Sequence, residues 1–233
     1  MLQGFFREQW DSLNTEIDRI RGYREQIGGK RMRHIEKMRA IDITQELFSC
    51  NVYPGDMPPT FERVKTIDPD EYNLTNIALC VHNGTHIDAP KHFIADGKAI
   101  HELDISIFFG KCTVAEFDGA VGENEIANVL GNCHERLLLK GNCELSESGA
   151  YALTKSHVKL IGIESQSVGN ADHPLSVHVI LLEKEIIPLE GLVLSAVEPG
   201  EYFLSAFPIN LEGSDGAPVR AVLFATADSD DIA

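Results

Sequence analysis

Hydrophobic residues along the first part of the chain recur at steps of three and four. Phe6, Trp10, Leu13, Ile17, Ile20, Tyr23 and Ile27 fall on one stripe, the spacing of an amphipathic helix. The "GG" at 28–29 interrupts it, and the basic piece "KRMRHIEKMR" follows. From "AIDIT" onward the period changes. Ile77, Leu79 and Val81 alternate with Ala78, Cys80 and His82, which predicts a strand with His82 at its end. "KCTVAEF", "ERLLLK", "VKLIGIE", "EYFLSAF" and "VRAVLFA" are apolar, β-branched or aromatic runs of strand length. "SESGAYALTKSH" and "LSVHVILLEKE" read as helices between them, and "YPGD", "EPGE" and "EGSDGAP" carry turn chemistry. These elements predict one α/β domain over residues 40–233 with a helical N-terminal arm over residues 1–39. No internal repeat or low-complexity segment interrupts the domain, and "DSDD" near the end reads as a solvated tail.

Charge separates the two parts. The 233-residue chain has a formal charge of −16, yet residues 1–39 hold nine Lys and Arg against six Asp and Glu. A basic arm with an apolar stripe suits packing on its own acidic domain or on a partner subunit. A second reading takes Met32 or Met38 as the natural start and leaves the arm without function. The acidic balance argues against nucleic acid, whose phosphates require a basic face. No apolar run predicts a membrane span. Five cysteines, Cys50, Cys80, Cys112, Cys133 and Cys143, form no Cys-x-x-Cys pair. Their odd number and wide spacing predict reduced, mostly buried thiols and a cytoplasmic setting rather than a disulfide framework or a thiolate zinc site.

Candidate chemistry concentrates in "VHNGTHIDAPKHF", Val81 to Phe93, where three of the nine histidines and an aspartate share eleven positions. Gly84, the β-branched Thr85 and Ile87, and Pro90 oppose a helix there. Extended chain next to a tight turn lets His82, His86 and Asp88 converge. Two imidazoles with a carboxylate suit zinc, manganese or iron(II), and three protein ligands leave a position open for water. His92, beyond Pro90, is either a further ligand or a proton carrier beside that water.

The motif "HNGTHIDAPKHF" resembles the His-x-Gly-Thr-His-x-Asp-x-Pro-x-His signature of the cyclase family, which contains bacterial kynurenine formamidases and isatin hydrolases. The resemblance runs in order over residues 41–224. "YPGD" (53–56) matches an aromatic-Pro-Gly-Asp turn, and "GIESQSV" (162–168) matches a Gly-Ile-Asp-x-x-Ser-Val stretch with Glu164 for aspartate. "VHVILLEKEIIPLEGL" (177–192) matches a His-x-x-Leu-Leu helix leading into a Leu-Glu-Gly-Leu strand, and "SDGAPVRAVL" (214–223) matches a closing Asp-Gly-x-Pro-x-Arg-Ala segment.

The resemblance implies a swivelling β/β/α cyclase-like fold, usually dimeric or higher. It implies that His82, His86 and Asp88 bind one zinc, and that Asp88 bridges to a second held by His178 and Glu190. His92 inherits the general acid/base role. One or two divalent ions per chain follow, zinc first and manganese as an alternative. The implied activity is hydrolysis of an aryl amide, N-formylkynurenine first, giving kynurenine and formate in tryptophan catabolism. Tyr53 stands where formamidases usually present a tryptophan to the substrate ring, so two other readings stay open. One is opening of a small cyclic amide or lactone, as in isatin hydrolases; the other is metal-dependent binding without turnover.

Overall fold

The structure is a computed structural model that describes residues 38–169 and 174–226. The predicted helical arm, apart from its last two residues, lies outside the described residues, as do Asp172, His173 and the acidic tail.

A nine-stranded sheet forms the body. Its strands are β1 (Met38–Asp42), β4 (His86–Asp88), β5 (Phe109–Glu116), β7 (Arg136–Lys140), β9 (Leu160–Ile163), β10 (Ile187–Glu190), β11 (Gly200–Ser205), β12 (Gly216–Pro218) and β13 (Val222–Thr226). The spatial order is β1-β13-β11-β5-β7-β9-β10-β4-β12. Two separate ribbons pair β2 (Thr60–Lys65) with β3 (Leu74–Ala78), and β6 (Gly119–Val121) with β8 (Cys143–Leu145).

The centre of the sheet is parallel. β5, β7, β9 and β10 run side by side, joined through helices α1 (Glu123–Leu130), α2 (Glu147–Thr154) and α3 (Pro174–Leu182). Parallel neighbours need such crossovers, and these place the helices on a sheet face. Burial on both faces explains the unbroken "RLLLK" of β7. Leu137 and Leu139 pack with Ile126, Leu153 and Leu181 of the helical layer, while Leu138 faces the opposite core with Ile187 and Leu223. The starts of α1 and α2 are satisfied locally: Ser146 Oγ accepts from Gly149 N at α2, and Glu125 Oε2 accepts from Gly122 N at α1.

Connectivity requires the sheet to curl. β12 ends one side of the order and β13 lies second from the other end, yet only Val219, Arg220 and Ala221 join them. Three residues span about 14 Å at full extension, whereas seven strand spacings of a flat sheet cover about 34 Å. The seam is closed by hydrogen bonds from Ile43 N to Ala221 O (3.0 Å), from Val193 N to Ile43 O (2.9 Å) and from Val219 N to Thr85 O (3.0 Å). Curling encloses a core of Ile43, Ile87, Leu138, Leu160, Leu189 and Leu204, all fully buried.

One predicted strand stops short. The alternation over 77–82 is strand only to Ala78; residues 81–85 form turns and bends, and His82 sits among them. All five β3 residues and most of β2 are exposed, so the alternation there marks an uncovered ribbon rather than a strand entering the body.

Candidate metal and catalytic site

The sheet register assembles the site. In β4, Ile87 points into the core, so His86 and Asp88 project from the other face. Glu190 of β10 is the antiparallel partner of His86 and shares that face. Helix α3 lays His178 over them, and the turn before β4 brings in His82. Gly84 (φ +65) and Gly191 (φ +68) make the backbone turns at either side of this pair.

His178 Nε2 lies 3.0 Å from Glu190 Oε1 and 3.4 Å from Asp88 Oδ2. His86 Nε2 lies 3.4 Å from Glu190 Oε2 and 3.5 Å from Asp88 Oδ1, and His82 Nδ1 lies 2.9 Å from that same Asp88 oxygen. Asp88 is thus central to two donor sets, His82/His86/Asp88 and Asp88/His178/Glu190; within each set the ligand atoms are within 4.8 Å of one another. Five residues predicted as ligands are brought together.

The donor set fits a cation on electrostatic grounds. Asp88 and Glu190 are 1% and 2% exposed, where carboxylates are costly unless compensated. The Nδ1–H of His86 is committed to Gly84 O at 3.0 Å, so in a neutral ring the Nε2 lone pair faces two carboxylate oxygens. That arrangement demands positive charge between them, from protons or from a metal ion. Without an ion, the rings take protons. Burial disfavours charge on His82, but Asp88 and Asp215 outweigh it and push its pKa up to about 9. Asp88 and Glu190 likewise overcome burial to push His178 up to about 10. Asp88 and Glu190 are buried, which opposes ionisation, yet the neighbouring imidazoles hold both below the usual carboxylate range. A divalent ion supplies the same compensation to neutral imidazoles and carboxylates, the ligand types preferred by zinc, manganese and iron.

His92 stands at the rim of the site. Burial lowers its pKa, with the charge of Asp88 acting in the opposite direction, and the net shift favours the neutral ring. The cavity above the ligands has a volume of about 330 Å³, in the range of small-molecule sites. Tyr53, Phe93 and Leu175 give it apolar walls, and Gln166 and Ser167 add polar groups. Tyr53 therefore lines the cavity where the resemblance places a substrate-facing aromatic.

Sequence reasoning assigned no role to Asp215. Its Oδ2 lies 2.9 Å from His82 Nε2 and 3.3 Å from His92 Nδ1. The Asp-Gly pair of "SDGAPVRAVL" was its one local signal, and it reads first as a turn. Glu164, the substitute for aspartate, holds loops together: Oε2 accepts from Gly141 N and Oε1 from Leu194 N, both at 2.8 Å.

A family model described as "Putative cyclase" matches residues 41–135. A kynurenine formamidase from Bacillus cytotoxicus is 35% identical over 200 residues, covering 78% of this chain and 96% of that protein. Another, from Salinibacter ruber, is 34% identical, covering 80% of this chain and 97% of its own length. The chain belongs to the kynurenine formamidase family. Solved structures carry the likeness into three dimensions. One described as a "predicted metal-dependent hydrolase" from Bacillus stearothermophilus is 26% identical, with a TM-score of 0.69, covering 80% of this chain and 98% of that one. Isatin hydrolase A from Labrenzia aggregata shares the fold, with a TM-score of 0.74 at 19% identity over 88% of this chain and 99% of that chain. The α/β cyclase-like architecture expected from the sequence is therefore the one these solved structures share. Among the described residues, no helix is long and apolar enough to cross a membrane.

Proposed function

We propose that this formamidase-family chain is a metal-dependent amidohydrolase that converts N-formylkynurenine to kynurenine and formate. The carrying observation is that donors about 90 residues or more apart in sequence converge on Asp88 beneath a small cavity edged by the imidazole of His92. His82, His86 and Asp88 would hold one ion, and Asp88, His178 and Glu190 a second, with zinc the first candidate and manganese the alternative. Such an ion, when bound, supplies Lewis acidity and lowers the pKa of water toward neutrality. The protein's own groups do the rest. His92 takes the proton from the attacking water and returns it to the departing nitrogen. Tyr53 and Phe93 present aromatic faces to the aryl portion of the substrate.

The free state of all five cysteines supports a reducing, cytoplasmic setting. Exposed Phe61 and Ile77 on the β2–β3 ribbon, with Met57 beside it, support assembly as a homodimer or higher oligomer. A two-stranded ribbon is marginal alone in water, and exposed apolar surface of this kind marks contact sites. Tyr53 in place of tryptophan weakens the substrate assignment, and the fold shared with isatin hydrolase A supports a second reading, opening of a cyclic amide such as isatin.

The test combines elemental analysis of the purified protein with turnover of N-formylkynurenine, isatin and formanilide by wild type and His92→Ala. Retained metal content with turnover lost in His92→Ala supports the assignment. Unchanged hydrolysis in that variant refutes the role of His92, and isatin turnover without formamide turnover selects the second reading.

A further inference from the structure

Asp215 immediately precedes β12, more than 120 residues beyond the signature. One of its oxygens, Oδ2, is within 2.9 Å of His82 Nε2 and 3.3 Å of His92 Nδ1. The two rings lie against each other, with centroids 4.1 Å apart and planes inclined by 30°. We propose that Asp215 is a positioning residue that fixes the tautomers of both rings and so ties a ligand of the metal to the proton carrier.

The reasoning is one of donor bookkeeping at each nitrogen. A neutral imidazole carries one N–H, and the other nitrogen is its acceptor. A carboxylate oxygen has lone pairs for two donors and offers none of its own. Donation from His82 Nε2–H to Asp215 leaves the Nδ1 lone pair directed at Asp88 and the donor set around it. Donation from His92 Nδ1–H leaves Nε2 as the acceptor. Fixing a ring through its second nitrogen is the usual way a carboxylate orients a metal-bound or catalytic histidine.

The proposal rests on the acid/base reading of His92 given above. As the water oxygen bonds to the amide carbon, its proton moves to His92 Nε2. The ring becomes cationic, with Asp215 still accepting from Nδ1–H. When the carbon–nitrogen bond breaks, the Nε2 proton goes to the departing nitrogen and the ring returns to neutral. Asp215 holds its charge throughout and exchanges no proton. A neighbouring role, direct ligation of an ion in a His82/His92/Asp215 set, has the same side chains within reach and is separated by the test.

The experiment uses full-length wild type, Asp215→Asn, Asp215→Ala and His92→Ala. Long-range nitrogen–proton NMR on zinc-loaded protein reads the ring tautomers, and equilibrium dialysis reads metal stoichiometry. Steady-state kinetics on metal-loaded protein gives kcat and KM separately. Wild type is expected to show His92 as the Nδ1–H tautomer and His82 with Nε2–H bonded. Asp215→Ala is expected to scramble the His92 tautomer, keep the metal stoichiometry, and lower kcat by about 10²-fold with KM within about threefold, the scale of acid–base assistance. An unaltered His92 tautomer or unaltered kcat in both Asp215 variants overturns the proposal. Loss of one bound ion in Asp215→Ala also overturns it and makes Asp215 a ligand. Full turnover by His92→Ala removes the acid/base reading instead, and the NMR result then still decides whether Asp215 orients the two rings.

Discussion

Replacing Gly191 with alanine probes the backbone that holds the two donor sets in register. Gly191 has φ +68, in the left-handed region, where an L side chain costs about 1–2 kcal/mol. A Cβ there would also fall 2.3 Å from Gly84 O and 2.6 Å from Gln166 Nε2. The glutamine end can swing aside, but the Gly84 carbonyl is backbone and accepts from His86 Nδ1. Forced accommodation of this kind adds about 1–3 kcal/mol, for a total of about 2–5 kcal/mol. Gly213 is the matched control: its φ is +73 and nothing lies within 4 Å of its virtual Cβ, so Gly213→Ala carries the conformational cost alone. Urea unfolding of both metal-stripped variants, followed by circular dichroism, measures the difference. Since the shifted carbonyl orients His86, zinc affinity by chelator competition should also fall about 10–100-fold in Gly191→Ala. If Gly191→Ala is no more destabilising than Gly213→Ala, the steric argument is wrong.

Three further outcomes follow from the same structure. Adding zinc or manganese to chelator-treated protein should raise its melting temperature; free ion at 100 times Kd stabilises by about 2.7 kcal/mol, and an unchanged melting curve counts against an ion site. Burial raises the pKa of Cys112 to about 12 and of Cys143 to about 11. Iodoacetamide at pH 8 should therefore label the partly exposed Cys50 and Cys80 first, and mass spectrometry showing Cys112 modified first in native protein would contradict the core packing. Leu138→Ala empties a fully buried position in the inner core and should cost about 2–5 kcal/mol in chemical denaturation, whereas a loss under 1 kcal/mol would mean the curled core is loose there.

Local pattern carried much of the architecture. The apolar runs at 111–117, 135–140, 158–164, 201–207 and 219–225 each contain or overlap a strand of the main sheet, and both predicted helices form. Such runs are legible because burial on one or both faces leaves its mark residue by residue. β12 was hidden because "GAP" reads as a turn; its pairing with β4 is a long-range event. The helix at 123–130 was missed because its start has no side-chain cap of its own, only Glu125 reaching back to Gly122. In the site, His82, His86, Asp88 and His92 stood out through density in one segment. His178 and Glu190 look locally like a core histidine and a turn glutamate, so only the family resemblance singled them out. Asp215 is joined to His82 across 133 residues, a separation that no local window can read.

The three-residue link across the seam also orders events in time. Residues 216–226 supply one strand to each side of the closure, so a nascent chain can make His82, His86 and Asp88 long before it can shut the sheet beside them. At ribosomal speeds of about 5–20 residues per second, that interval is on the order of 10 s. During it β4 lacks its β12 neighbour and keeps an open edge. A message stopping short of codon 216 would thus yield the whole signature motif on a body that never seals.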